Sequence, residues 1–462
     1  MALVPLTTAQ CGSDAESSDA PPALEADGGP REGSAAGDAG GATQVPECRS
    51  AATVQAIGAC IDAGSSPRDC LAKSRPAGSA ACDADKDGLD DALEDAMLRS
   101  YAPVFAYNKG DGSHTAGDSE PNFPTNMRHY VASSTLIWRV DGDESTRKVI
   151  DAKPTLDGLR AATFTEGTAV RHADVTSLGQ GPNFWLCLNQ EGGSYPADAL
   201  VSSVEISRKL QDGIDLLSVA HLSGADPSGR YVVLEYMLFY AYNKFSFDDH
   251  EGDFEGGAVF VDTETGKVAA LYTDRHATSD GTLVVPLEGP GLLPAKDPKG
   301  EAPHYNICDD SSTNDAGGVR FWDYAAKRHH PVIFAAAGGH ASYGYPGATK
   351  IQGAGCFEAT MIRDVHNGGG PKLVPFESAY YTDWSAGKSA VEHDVRIVNL
   401  GERKNLVAQW SAFAGQWGCT LQSIPKSYPG PWDNARLCRH WLTNDWGPAP
   451  PFARSTATTC SQ

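Results

Sequence analysis

The stretch DADKDGLDDALE, residues 83–94, spaces its acidic groups as an all-oxygen cation site requires. It fits the twelve-residue pattern D-x-D-x-D-G-x5-E. Asp83, Asp85 and Asp87 offer oxygens at loop positions one, three and five. Gly88 permits the sharp turn at position six, Leu89 offers its carbonyl, Asp91 stands at position nine, and Glu94 at position twelve can bind through both oxygens. A hard cation prefers such ligands, so the sequence predicts calcium here. The competing reading is an acidic helix N-terminus, where aspartates favour the helix dipole.

A second acidic stretch, DDHEGDFEGG at 248–257, lies between the apolar runs YVVLEYMLFYAY and AVFV. Read as a strand, it sends Phe254 to one face and Asp253 with Glu255 to the other, about 7 Å apart by strand rise. His250 lies three residues earlier, across Gly252, which allows a bend or bulge. His250, Asp253 and Glu255 thus offer one nitrogen and two carboxylates to a second divalent cation, with Asp248 and Asp249 nearby. Magnesium, calcium, manganese and zinc all suit such mixed ligands. Close carboxylates repel and raise each other's pKa, which an ion between them would relieve. The competing reading is a solvated, ion-free turn. His276, in ALYTDRHATSDG, and His340, after PVIFAAAGG, also stand at strand ends and are candidates to line the same cleft.

The elements that must position these groups are mostly strands. TLIWRV, RYVVLEYMLFYAY, GGAVFV, KVAALYT, PVIFAAA and VRIVNL are short and rich in β-branched and aromatic residues, with Gly, Pro and Asp between them. No regular strand–helix alternation appears, so the expected class is mainly β: an antiparallel β-sandwich with a few helices. Ahead of it, ATVQAIGACIDA and PRDCLAKS read as two short helices stapled by cysteines 48, 60, 70 and 82, whose pairing spacing leaves open. The predicted order is an acidic low-complexity tether at 1–46, a cysteine-rich helical segment at 47–98 containing the calcium loop, a β-sandwich domain at 99–450, and a tail at 451–462. The loop is expected at the edge of the sandwich, with its following helix running into SYAPVF.

With 462 residues the chain can bury a large core, and its formal charge of −22 argues against nucleic acid as a partner. Eleven dispersed cysteines without a CxxC pair point to disulfides in an oxidising, extracytoplasmic compartment. Cys419 and Cys438 are a candidate pair. Cys11, in LTTAQCGSD, resembles the lipidated cysteine of a bacterial lipoprotein and is a candidate lipid anchor, so the protein is expected to be secreted or membrane-anchored. No apolar run is long enough for a transmembrane helix. G-x-S-x-G, H-E-x-x-H and the phosphate-binding G-x-x-x-x-G-K-[ST] are absent.

The motifs SYAPVFAY (100–107), NFPTN (122–126), LEYMLFYAYN (234–243), DHEGDFE (249–255), HPVIFAAAGGHASY (330–343) and WSAFAGQWG (410–418) follow one another over about residues 99–450. Their order resembles the vacuolar protein sorting-associated protein sixty-two family. That family is in turn distantly similar to the necrosis- and ethylene-inducing-peptide-like proteins, secreted β-sandwiches that bind a divalent metal and membrane sphingolipid headgroups. The resemblance implies metal ligation by His250, Asp253 and Glu255, with Phe254 where those toxins carry tryptophan. The loop at 83–94 separately resembles the single EF-hand-like calcium loops of bacterial extracellular proteins.

Three functions follow as expectations. The first is an extracytoplasmic, divalent-metal-binding β-sandwich that recognises a glycan, lipid headgroup or other surface ligand. The second is a metal-dependent hydrolase, with His276 or His340 as general acid or base. The third is a purely structural surface protein stiffened by calcium and disulfides.

Overall fold

The structure is a computed structural model. It describes residues 48–75, 82–108, 122–140, 143–174, 183–188, 213–223, 229–243, 250–273, 282–284, 309–310, 320–321, 330–344, 347–352, 361–366, 368–383, 389–391, 395–402, 405–419 and 431. All of them belong to one compact unit, 41–462. The tether, the tail, Cys11, Cys438, Asp248, Asp249 and His276 lie outside the described residues.

Three helices come first. Helix α1 (Ala51–Asp62) starts where the Ser50 hydroxyl accepts from the Thr53 amide, and it buries Ile57 and Ile61. Helix α2 (Pro67–Ser74) has Ser66 as N-cap and proline in its first turn, where the ring costs no hydrogen bond. Helix α3 (Asp91–Ser100) is capped by the Asp90 carboxylate, carries Asp91 and Glu94 in its first turn and Arg99 in its last, and so agrees with its dipole at both ends. Disulfides Cys48–Cys82 and Cys60–Cys70 tie the segment together.

The remaining chain is mainly strand. In order these are β1 (Val104–Ala106), β2 (Ser134–Trp138), β3 (Lys148–Asp151), β4 (Thr163–Glu166), β5 (Ala169–His172), β6 (Phe184–Leu188), β7 (Ile214–Leu222), β8 (Tyr231–Asn243), β9 (His250–Asp262) and β10 (Lys267–Thr273). There follow β11 (Thr282–Val284), β12 (Asp309–Asp310), β13 (Arg320–Phe321), β14 (Pro331–Ala335), β15 (Ser342–Tyr343), β16 (Gly347–Gln352), β17 (Met361–His366), β18 (Lys372–Val374), β19 (Ala379–Asp383), β20 (Ser389–Val391) and β21 (Val395–Asn399). Helix α4 (Met127–Ala132) precedes β2.

Two sheets form the sandwich. One runs β11-β10-β9-β8-β7-β21 and the other β13-β14-β1-β18-β19-β20. Most neighbours are antiparallel; β21 on β7 and β1 on β14 are parallel. The inter-sheet core joins Leu216, Leu234, Leu238 and Val259 of the first sheet to Phe105, Ile333, Leu373 and Tyr380 of the second. The N-terminal helices bury Ile57, Ile61, Leu93 and Met97 in that same core. The helical segment is therefore packed into the sandwich rather than joined to it by a linker.

The other face of the first sheet is also covered. Met237, Phe239 and Phe254 pack there against Met127 and Tyr130 of α4, Phe184 and Leu186 of β6, and Trp410 and Trp417. This second layer explains why β8 reads as a nearly continuous apolar run: the central sheet is buried on both faces. The disulfide Cys187–Cys419 pins β6 to the 416–419 segment. Cys419 thus pairs with Cys187 and not with Cys438, because β6 and the 416–419 segment are neighbours in space across 232 residues of sequence.

Candidate metal centre

The loop at 83–94 leads into α3, which ends just before β1. Local hydrogen bonds shape it. The Asp83 carboxylate accepts from the amides of Asp87 at 3.2 Å and Gly88 at 3.1 Å, and that of Asp87 accepts from the Leu89 amide at 2.7 Å. Gly88 takes φ +93°, a conformation that a side chain disfavours. Leu89 buries its side chain in the inter-sheet core and anchors the turn. Helix α3, into which the loop leads, meets the first sheet at its edge: Asn399, closing β21, donates to Asp95 of α3 at 3.0 Å.

These turns bring the carboxylates together. Ligand oxygens of Asp83, Asp85 and Asp91 all lie within 4.8 Å of one another, as do those of Asp85, Asp87 and Glu94. Asp85, Asp91 and Glu94 are buried. Burial, and then the neighbouring Asp87 charge, push the Asp85 carboxyl up to about 7. Burial likewise raises Asp87, and burial with the charges of Asp87 and Asp85 raises Glu94 well above the usual carboxylate range. Such a group of carboxylates is disfavoured as anions unless a positive charge joins it. The donors are all oxygen, the set that calcium prefers.

One positive charge already comes from the chain. The Arg49 guanidinium lies 3.3 Å from Asp91, 3.0 Å from Glu94, 2.9 Å from Asp95 and 3.8 Å from Asp85, with only 10% of its side chain exposed. Sequence reasoning missed Arg49. The available signal was its position next to Cys48, whose bridge to Cys82 sets it beside Asp83, but that pairing is not readable from spacing.

The second acidic stretch is arranged differently. Along the β8–β9 ladder Asp253 stands opposite Tyr240 and Glu255 opposite Leu238, both in the inter-sheet core, while Phe254 stands opposite Phe239 in the outer core. Asp253 meets His340: Nδ1 of the imidazole is 3.3 Å from Oδ2, and Asn243 donates to the same oxygen at 2.9 Å. His340 Nε2 lies 3.1 Å from the Asn122 carbonyl, and the ring stacks on Tyr240 at 3.8 Å. His340 also takes φ +55°, a strained conformation for a residue with a side chain.

The structure therefore brings Asp253 and His340 together. His250, Asp253 and Glu255 do not form a group of three with ligand atoms within 4.8 Å; among the described residues the two loop clusters are the groups that do. The His250 ring instead has Nδ1 3.4 Å from the Glu251 carbonyl.

Gly252 sets the neighbouring carboxylates Glu251 and Asp253 apart. It takes φ +67°, and a Cβ there would stand 1.4 Å from the Trp417 carbonyl oxygen. Asp253 meets His340 beside the inter-sheet core. Glu251, two residues earlier, instead accepts from the backbone amides of Leu188 at 2.9 Å and Cys419 at 3.2 Å in the outer layer. Strict alternation would put both carboxylates on one face; the left-handed glycine between them separates them.

A third unusual ionisable group is Lys372 of β18. Burial pushes its ammonium down to about 8. It donates to the carbonyl of Gly370 at 2.9 Å and to that of Gly368.

Comparison of the chain with protein-family models, with curated proteins and with solved structures gave no match.

Proposed function

We propose that this is an extracytoplasmic, calcium-binding β-sandwich protein. In this reading calcium is held by Asp83, Asp85, Asp87, Asp91 and Glu94, with the Leu89 carbonyl, and it fastens the N-terminal helices to the edge of the first sheet. The observation that carries the reading is the convergence of carboxylate oxygens within 4.8 Å in two groups that share Asp85, with Asp85, Asp91 and Glu94 buried. The loop geometry adds support, since Asp85, Asp91 and Glu94 are buried while Asp83 and Asp87 remain partly open to solvent. The disulfides Cys48–Cys82, Cys60–Cys70 and Cys187–Cys419 favour an oxidising compartment. No helix among the described residues is long and apolar enough to cross a membrane.

Recognition of a glycan, lipid headgroup or other surface ligand is the activity we assign to the sandwich. The polar cluster of Asp253, His340, Asn243 and Asn122 beside the inter-sheet core is the feature of the sandwich that supports it, since clustered ionisable and amide groups concentrate at binding sites.

Calorimetry on the metal-stripped protein tests the calcium site. Calcium should bind the native chain and give no heat with Asp83→Ala/Glu94→Ala. Equal binding by both proteins would remove the loop from consideration.

A further inference from the structure

We propose that Arg49 is the resident counter-cation of the acidic loop and sets its calcium affinity: it holds the loop formed without metal and weakens calcium binding by charge repulsion. The inference rests on the calcium reading of the loop.

Arg49 is built into this position. Its neighbour Cys48 is bridged to Cys82, directly before Asp83. Arg75 donates to the Cys48 carbonyl at 3.3 Å and pairs with Asp90, the α3 N-cap, at 2.7 Å, so a second guanidinium fixes the backbone from which Arg49 projects. From there Arg49 forks, one terminal nitrogen on Asp95 and the other on Glu94 and Asp91. A planar guanidinium with several fixed donors suits this bridging, and an ammonium would not reproduce it. Burial works against the Arg49 charge, but Asp95, Glu94, Asp91 and Asp85 together outweigh it.

The consequence for calcium is electrostatic and geometric. Glu94 belongs to the cluster with Asp85 and Asp87, and Arg49 already occupies its Oε2 at 3.0 Å. Two-oxygen binding of calcium by Glu94 must therefore share or displace that hydrogen bond. A divalent and a monovalent cation sharing one carboxylate also repel, by an amount that corresponds to about tenfold in affinity even at the dielectric constant of water. Without calcium, the same guanidinium relieves the repulsion among the carboxylates and keeps α3 and α1 joined.

The test uses the full chain stripped of metal, with calcium calorimetry and thermal melts in the presence and absence of calcium. Arg49→Met and Arg49→Gln should each bind calcium about tenfold more tightly than the native protein. Their calcium-free melting midpoints should fall, and calcium should restore them. Arg49→Lys, which keeps the charge and loses the fork, should keep near-native calcium affinity with a lower calcium-free midpoint. Should Arg49→Met fail to fold without calcium, recovery on adding calcium supports the proposal, and failure of both neutral variants to recover overturns it. Native protein that binds no calcium overturns the calcium reading itself. Native binding with equal or weaker affinity in the neutral variants overturns the role of Arg49 alone.

Discussion

The imidazole of His340 reaches the carboxylate of Asp253 at 3.3 Å, across 87 residues of chain, with both groups buried. The other ring nitrogen faces the Asn122 carbonyl, which can only accept, so Nε2 carries a proton. His340→Ala would leave the Asp253 carboxylate buried without this partner and should destabilise the fold by about 3–5 kcal/mol. Asp253→Asn, which keeps an oxygen at the same place, should cost less. Urea denaturation of both variants checks the order, and a near-native midpoint for His340→Ala would show that the pair does not stabilise the fold.

Calcium titration should give one site per chain. Ligand oxygens of the loop carboxylates lie within 4.8 Å of one another in two groups, and His250, Asp253 and Glu255 are not such a group among the described residues. Glu255→Ala should therefore leave calcium stoichiometry and affinity as in the native protein. A second site lost on this substitution, with calcium, magnesium, manganese or zinc, would instead support the reading of the 248–257 stretch as a second metal centre.

Gly252→Ala should be among the most damaging substitutions in the sheet. Its Cβ would fall 1.4 Å from the Trp417 carbonyl oxygen, at φ +67°. The clash is with backbone of the packed 416–419 segment, so no side-chain adjustment relieves it. A loss of about 3 kcal/mol or more, or failure to fold, is expected. A near-native unfolding midpoint would contradict the close crossing.

Glu251→Leu removes the acceptor of two buried amides, on Leu188 and Cys419. Each stranded N–H costs about 1–3 kcal/mol, so the variant should lose several kcal/mol in chemical denaturation. Glu251→Gln retains an oxygen and should lose clearly less. If the two variants behave alike, the carboxylate does not join β9 to its outer layer.

Lys372 gives a pH signature. Its folded pKa is pushed down to about 8 by burial, while the unfolded chain keeps the ordinary higher value. Between the two the unfolded state binds more protons, so this group makes stability rise with pH above about 8 and leaves its full penalty in place below that. The native protein minus Lys372→Met should show that rise in unfolding free energy between pH 8 and 9.5. A flat difference would mean that the ammonium titrates normally.

Much of this was legible in the chain because it depends on short separations. Ser50 and Ser66 as caps, Pro67 in a first turn, and the period of the apolar residues define α1 and α2. The spacing of Asp83, Asp85, Asp87 and Gly88 is itself a turn, since the side chains cap amides two to five residues away. The alternation of Asp253, Phe254 and Glu255 is a local property of extended backbone. What only the tertiary structure decided depends on partners far along the chain. Spacing among the cysteines does not choose Cys48–Cys82, and so does not reveal Arg49 within the loop. Nothing near Cys419 marks Cys187 as its partner. The separation of Glu251 from Asp253 follows from Gly252, whose left-handed φ is fixed by the Trp417 backbone 165 positions later. A glycine in sequence permits that conformation; only the packed segment against it imposes one, and with it the choice of which carboxylate reaches His340.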